Sequence, residues 1–394
     1  MSTMRWLALL LMSSLCVHST LGETGEVGPS PSGLSVLYAG KLNSGRMEEF
    51  KKFLSQHFKR VVTCDFEKLT SADATDSDVV VFDWVSVYPR DEDGKIDHGR
   101  NEILSPRFNV DSAYSKPTIM IGAAAGTFSN TRSMAINWKC LCLENHAHDV
   151  DSDHSVFKGP LPVEMTFEKI DKPNDYFLHP GTMKLGEQMT AWKIQERSFP
   201  DVDPGLVSSR ENFIGTKNAE VISGGCNGKG PTSVAIGRHG NFMLWGFSGS
   251  PDEMTESARH AFVNSLCYMT AFDGQTPGPV ESNYETPEHH LASIYFLRAS
   301  SDAYTEKQAK SMQEMIDQDK VPQEVIDQVG DDPKAFFRNM MKPHTDKVLQ
   351  RIPDSIRKQH DDDVEKIIQF YTERADKLQV NSNREFVVDA QQSE

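Results

Sequence analysis

Cys226 and His239 are the nearest this sequence comes to a nucleophile with a base. The cysteine lies in Ser223-Gly-Gly-Cys226-Asn-Gly-Lys-Gly230, and the histidine follows thirteen residues later. A thiol becomes a nucleophile only as a thiolate, which a neighbouring imidazole can supply. Glycines so closely spaced first mean a turn, so the same stretch also reads as a loop carrying an inert thiol. His239 could equally act as a general base with Asp83 assisting. A third cluster, Asn145-His146-Ala-His148-Asp149-Val-Asp151-Ser-Asp153-His154, has the residue types that hold a divalent cation. No helix or hairpin spacing aims those ligands, so the plain expectation is a solvated acidic loop. His146, His148 and Asp149 stand only as metal candidates, and no cofactor is assigned.

Other residues suit binding rather than catalysis. Ser115-Lys-Pro117-Thr-Ile-Met-Ile-Gly122-Ala-Ala-Ala-Gly126 reads as a buried strand that turns sharply into a helix. Such strand-to-helix elbows often carry a nucleophile beside free backbone N–H groups. Here Ala123, Ala124 and Ala125 cover the expected place, which leaves backbone donors at Gly122, Ala123, Ala124 and Gly126 but no reactive atom. Gly40-Lys-Leu-Asn43-Ser44-Gly45 resembles a phosphate-binding loop in its two glycines. Arg46-Met47 stands where Lys and Ser/Thr would be required, so a nucleoside triphosphate site is not expected. Asp83, Trp84 and Arg238 complete the binding candidates, because carboxylates accept sugar hydroxyls and aromatic faces stack on sugar rings.

These residues need strands and helices to position them. Leu34 to Ala39, Arg60 to Asp65 and Asp78 to Trp84 are apolar runs of the kind expected from parallel strands covered on both faces. Met47, Phe50, Leu54 and Phe58 recur at helical spacing, with Glu48 and Glu49 at the positive end. Thr127 to Trp138 is expected to be helical, and Tyr88 to Tyr114 a polar insertion able to serve as a lid. Leu161, Val163, Met165 and Phe167 alternate like one face of a strand, and Gln188 to Ile194 reads as another. Ser233 to Gly237 and Phe242 to Phe247 flank Arg238-His-Gly-Asn241 as a hairpin. Ser250, Pro251 and Glu253 spell a capping box for a helix whose stripe is Ala258, Ala261, Phe262, Leu266 and Met269.

The chain has 394 residues and a formal charge of −16. That length predicts about two domains plus a tail, and the acidic balance without a basic run disfavours nucleic acid and anionic membranes as partners. Residues 1–22 read as an export signal, with Arg5, an apolar core from Trp6 to Val17 and small residues after it. No later run is long and apolar enough to span a bilayer. Five cysteines then remain, and an odd count without regular spacing predicts scattered core residues rather than a disulfide framework. Cys140 and Cys142 would share a strand face, but residues that close seldom bridge. Residues 23–33 form a flexible leader, 274–285 a linker, 286–380 a series of short helical stripes divided by prolines, and 381–394 an extended tail.

The strand-loop-helix beginning, the strand into Gly122 to Gly126, the stretch Asp153-His154 to Gly159, and the hairpin and helix from Arg238 to Tyr268 together resemble the class I glutamine amidotransferase-like superfamily. They are similar above all to its trehalose-utilisation-type branch in exported proteins of planctomycete-like bacteria. The resemblance covers residues 34–273. It implies an α/β fold, a flavodoxin-like three-layer sandwich with a mostly parallel sheet, to which the C-terminal helices are an appendage. Members that hydrolyse glutamine use an elbow cysteine with a distant histidine and acid, so the alanines here argue against that reaction. Three functions are expected, in this order. The first is an exported, periplasmic or extracellular domain without catalysis that binds a small polar molecule, with carbohydrate the leading class. The second is an envelope interaction protein working through its C-terminal helices. The third is a hydrolase or isomerase using His239 with Asp83, or a metal. The oligomeric state is left open.

Overall fold

The computed structural model describes residues 29–85, 108–137, 139–173, 176, 188–199, 201–280, 297, 301–318, 321–375, 378–380 and 386–388. The expected export signal, most of the leader and tail, the insertion from 88 to 107 and the end of the linker lie outside these residues.

The chain forms β1 (Ser35–Gly40), α1 (Gly45–Ser55), β2 (Arg60–Asp65), β3 (Val79–Trp84), β4 (Thr118–Gly122) and α2 (Ala123–Arg132). There follow β5 (Cys140–His148), α3 (Ser155–Lys158), β6 (Phe167–Asp171), β7 (Gln188–Lys193), β8 (Gly205–Ser209) and β9 (Ala219–Asn227). Then come β10 (Ser233–Val234), β11 (Ile236–His239), β12 (Phe242–Trp245) and α4 (Glu256–Met269). Beyond these, α5 (Asp302–Asp317), α6 (Gln323–Val329), α7 (Pro333–Arg351), α8 (Asp354–Gln359) and α9 (Val364–Ala375) precede a small ribbon of β13 (Leu378–Val380) and β14 (Phe386–Val388).

The main sheet runs β10-β8-β5-β9-β11-β12-β4-β3-β1-β2, with β7 joined to β5 and β6 to β7. Strands β2, β1, β3, β4 and β12 are mutually parallel, whereas every pairing from β12 outward through β11 is antiparallel. The expected mostly parallel sheet is therefore a mixed sheet around a parallel block. The cause is the chain after α2. It returns without long helical crossovers, and only a crossover can join parallel neighbours.

The alternation of side chains along the parallel block sorts the core into two layers. Val36 and Tyr38 of β1, Val79 and Val81 of β3, and Ile119 and Ile121 of β4 pack with α1 and α4. Leu37, Ala39, Val80, Phe82 and Met120 face the opposite layer, where Phe128 of α2 and Phe66 lie. Both faces are thus covered, which is why these strands are continuous apolar runs. β2 is the exception. It is the edge strand, and Val62 is 39% exposed.

Several expected boundaries shift. Helix α2 begins at Ala123, directly at the elbow, and ends at Arg132. Helix α4 is capped by Thr255, whose hydroxyl accepts from the Ala258 amide, while Ser250 to Met254 form a turn closed by Glu253 N–H to Ser250 C=O at 2.9 Å. That turn satisfies the capping-box pattern, because Ser-Pro-Asp-Glu is also good turn chemistry. The stripe Ala258, Ala261, Phe262, Leu266 and Met269 is buried as expected. Of the alternating run, Leu161, Val163 and Met165 pack on the core, but only Phe167 begins a strand, and it is 45% exposed. Cys140 and Cys142, expected to stay apart, form a disulfide beside a register shift in β5. Of the glycine-rich stretch, Ser223 to Asn227 with Cys226 form the end of β9, and only Gly228 to Gly230 make the expected turn.

The C-terminal helices carry an apolar cluster of their own, Leu297, Val348, Ile352, Ile367, Ile368 and Tyr371. No helix among the described residues is long and apolar enough to cross a membrane.

Candidate functional site

Open parallel sheets hold ligands at the carboxyl ends of their strands, where the strand order reverses. In this sheet that place lies above β1 and β3. Side-chain parity decides what meets there. Asp83 points into the layer shared by Tyr38 and α1, while Trp84, one residue on, points into the other layer against Phe66, with ring centroids 5.7 Å apart. The two candidates therefore sit at one edge but on opposite faces.

Asp83 is the centre of a polar cluster. Arg46 in the first turn of α1 grips its carboxylate with two bonds, Nε to Oδ2 at 2.7 Å and Nη2 to Oδ1 at 3.0 Å. The Tyr38 hydroxyl donates to the same Oδ2. Arg46 Nη1 donates to the Ser248 carbonyl at 2.7 Å, and the Ser248 hydroxyl donates to the Asp203 carbonyl. The Asp83 side chain is 2% exposed and that of Arg46 21%, so the carboxylate is sealed while the arginine side chain is in part open to solvent. Burial pushes the Tyr38 phenol far up, aided by Asp83. Burial alone would lower the Arg46 guanidinium, but the Asp83 carboxylate more than reverses this and holds it raised.

The loop before α1 serves this arrangement. A Cβ on Gly40 would come within 2.7 Å of the Tyr38 ring, so glycine is what lets Tyr38 lean over the strand end to Asp83. Asn43 takes a left-handed turn at φ 57°, and Ser44 caps α1 by accepting from the Met47 amide at 3.1 Å. These three candidates thus aim Arg46.

At the elbow the strained residue is Gly122 itself, at φ 57° and ψ −130°, and not one of the alanines after it. In the strand-nucleophile-helix turn, that is the residue whose side chain is thrust outward. Glycine has no side chain to present. A Cβ added there would lie 3.0 Å from the Val85 methyl Cγ1, and Ala123, Ala124 and Ala125 are at most 1% exposed. The backbone donors of this helix start are therefore covered by protein.

The remaining candidates lie elsewhere. His239 ends β11 beside the start of β12 and β4, roughly 10 Å along the strands from the level of Asp83 and three strands across. Its Nδ1 accepts from the Ala135 amide at 3.0 Å, and burial, then Arg238, push it down to about 4. Cys226 is fully buried beside Tyr176 and Met189, and burial pushes its thiol up to about 12. Since His239 pairs with Ala219 at the other end of β9, the thirteen-residue spacing corresponds to about 20 Å of strand. Arg238 belongs to that same distant end: Nε to Glu220 Oε1 at 2.5 Å, Nη1 to the Gly240 carbonyl at 2.9 Å, and the guanidinium 3.8 Å from the centroid of Phe272.

His146 and His148 lie on β5 rather than in a loop, and each is engaged. His146 Nε2 lies 2.5 Å from Glu168, His148 Nε2 lies 2.9 Å from the Tyr176 hydroxyl, and Asp149 pairs with Arg210 at 2.5 Å. Burial pushes His148 down to about 4. Among the described residues no three His, Cys, Asp or Glu side chains are grouped to hold a metal ion.

The fold and this cluster define a mixed α/β chain with a buried Arg–Asp–Tyr network at the carboxyl edge of its parallel block. Among solved structures, this chain is similar to a Thermoplasma acidophilum protein described as a subunit of GMP synthase. The likeness covers 61% of this chain and 94% of that one, at 10% identity and a TM-score of 0.32. No protein-family model matches the sequence, and no curated protein does.

Proposed function

We propose that this chain is an exported, amidotransferase-like domain without catalysis that binds a small polar ligand at the carboxyl edge, beside Arg46. One observation carries the reading. The backbone at Gly122 has the nucleophile's conformation but no side chain, and Val85 closes the space where one would stand. The parallel order β2-β1-β3-β4-β12 supports the flavodoxin-like, superfamily-level part of the reading. Export rests on the opening residues of the sequence.

The ligand class follows from charge. Arg46 is already matched by Asp83, so the N–H hydrogens left over on its partly exposed side chain are offered without a net charge, and the loop at Lys41 to Asn43 beside it is exposed. A neutral, hydroxyl-rich molecule such as a sugar suits donors of that kind better than an anion does. Thermal-shift measurement against neutral sugars, with the corresponding sugar phosphates alongside, tests this. At roughly ten times its Kd a bound sugar stabilises by about 1.4 kcal/mol, a rise of a few degrees. Arg46→Lys, which keeps the charge and loses the fork, should abolish the rise. No rise with any sugar overturns the binding reading, and ammonia released from glutamine by the native chain overturns the non-catalytic one.

A second reading, an envelope interaction protein, has the separate C-terminal cluster behind it, with Met315 and Met340 at 43% and 52% exposed on α5 and α7. The oligomeric state of the full chain, native against Met315→Asp with Met340→Asp, tests it. An unchanged monomer removes its basis.

A further inference from the structure

At the amino edge of the parallel block, away from Asp83, a cleft of about 520 Å³ opens between the end of α2, the start of β12 and the segment after α4. Its volume is within the range of small-molecule sites. Tyr114, Met134 and Phe242, each at most 4% exposed, form an apolar wall with Pro277. Among the described residues the one charged group in the lining is Arg132.

The state of that arginine is unusual for an acidic protein. Its Nη2 donates to the carbonyls of Val110 and Asp111, at 2.9 and 2.6 Å, and its guanidinium lies 4.5 Å from the centroid of Phe128. Among the described residues no carboxylate lies within ion-pair distance of it, and Nε and Nη1 have no acceptor. Burial pushes the guanidinium down, against the weaker pull of Asp111 from further away. A cation partly removed from water and matched only by carbonyl dipoles is costly to the fold. An incoming anion would offset that cost with a charge-assisted bond.

We propose that this cleft binds a small organic carboxylate, its charge on Arg132 and its apolar body against Phe242, Met134 and Pro277. The wall rules against a bare inorganic anion, which would leave it wet, and the arginine against a neutral hydrocarbon, which would bury the cation further.

Isothermal titration of the full chain with benzoate and hexanoate, in about 0.15 M salt where long-range charge is screened, tests this. Benzyl alcohol, hexanol and sulfate serve as comparisons. Saturable binding of the carboxylates, at least tenfold tighter than of the alcohols or sulfate, is expected. Arg132→Gln should weaken carboxylate binding tenfold or more, and Arg46→Lys, which keeps the charge paired with Asp83, should leave it unchanged, which separates this site from the carboxyl-edge one. Should Arg132→Gln fail to fold, Thr276→Trp at the exposed rim should block the cleft with the arginine intact. The proposal is overturned if alcohols bind as well as carboxylates, if sulfate alone accounts for the heat as an adventitious ion only, or if either folded variant binds benzoate like the native chain.

Discussion

The two edges of the parallel block carry the same three-residue device used in opposite ways. At the carboxyl edge Tyr38 and Arg46 converge on Asp83. At the amino edge Tyr268 and Arg238 converge on Glu220, with the Tyr268 hydroxyl 2.7 Å from Oε1. In the first the carboxylate is sealed and the arginine looks out, with side-chain exposures of 2% and 21%. In the second the arginine is sealed and the carboxylate looks out, at 9% and 28%. His154 adds a further contact to Glu220 at 3.7 Å. An arginine whose side chain is partly exposed can meet a ligand. One clamped between Phe272 and two carbonyls can only hold its hairpin.

This difference sets the order of expected effects. Asp83→Ala should be the most damaging single change, because it strands a buried guanidinium without an anion. A loss of about 3–5 kcal/mol is expected, read from denaturant unfolding. The comparison breaks if the cost is below that of the corresponding change at Glu220.

At the amino edge the signature is pH dependence. Glu220 is pulled upward by burial, but His154 and Arg238 outweigh this and hold it down to about 2. A carboxyl whose folded pKa is depressed contributes stability that is complete above its unfolded value near 4.3. That stability is lost as pH falls through the folded value. Native protein should therefore lose more stability than Glu220→Gln between about pH 4.5 and 2, by up to about 3 kcal/mol. Equal slopes in that window would mean the network does not hold the charge. His239 acts in a higher window with the same sign: held down to about 4, it favours the neutral form, so stability is complete above pH 6.5 and falls toward pH 4. His239→Gln should flatten that part of the curve.

Gly122 sharpens the carboxyl-edge half of the comparison. Gly122→Ala puts a Cβ at φ 57° and 3.0 Å from Val85, and should cost about 1–2 kcal/mol. Val85→Ala in the same chain should recover the contact part but not the backbone part. Full recovery would mean that the elbow is not strained.

How far the sequence reveals this depends on the range of each interaction. The strands β1, β3 and β4 are legible because burial on both faces leaves an unbroken apolar run. The stripe of α4 is legible because helical periodicity is local. The Arg46–Asp83 pair is not. Locally Arg46 reads only as the wrong residue for a phosphate loop, and nothing links it to a carboxylate 37 residues away. Strand parity is the usable signal, since Asp83 falls on the same face as Val79 and Val81, the face that α1 must cover. The thirteen-residue step from Cys226 to His239 misleads because an antiparallel turn-back places neighbours in sequence at opposite ends of a strand. The antiparallel half of the sheet is the least legible region, as its strands β5 and β9 carry register shifts and glycines that read as loop.

The smallest expected effect tests whether the amino-edge arginine is held by its ring as well as its carboxylate. Phe272→Leu keeps an apolar cover over Arg238 but removes the ring whose centroid lies 3.8 Å from the guanidinium. Because Arg238 also bonds to Glu220 and to the carbonyls of Asn218 and Gly240, the ring's share should be only about 0.5–1 kcal/mol. In a double-mutant cycle with Arg238→Met, a coupling of that size would show the stacking to be a real constraint on the hairpin. A coupling near zero would instead leave Glu220 and the two carbonyls as the anchors. Arg238 would then have the freedom of Arg46, and the contrast between the two edges would reduce to burial alone.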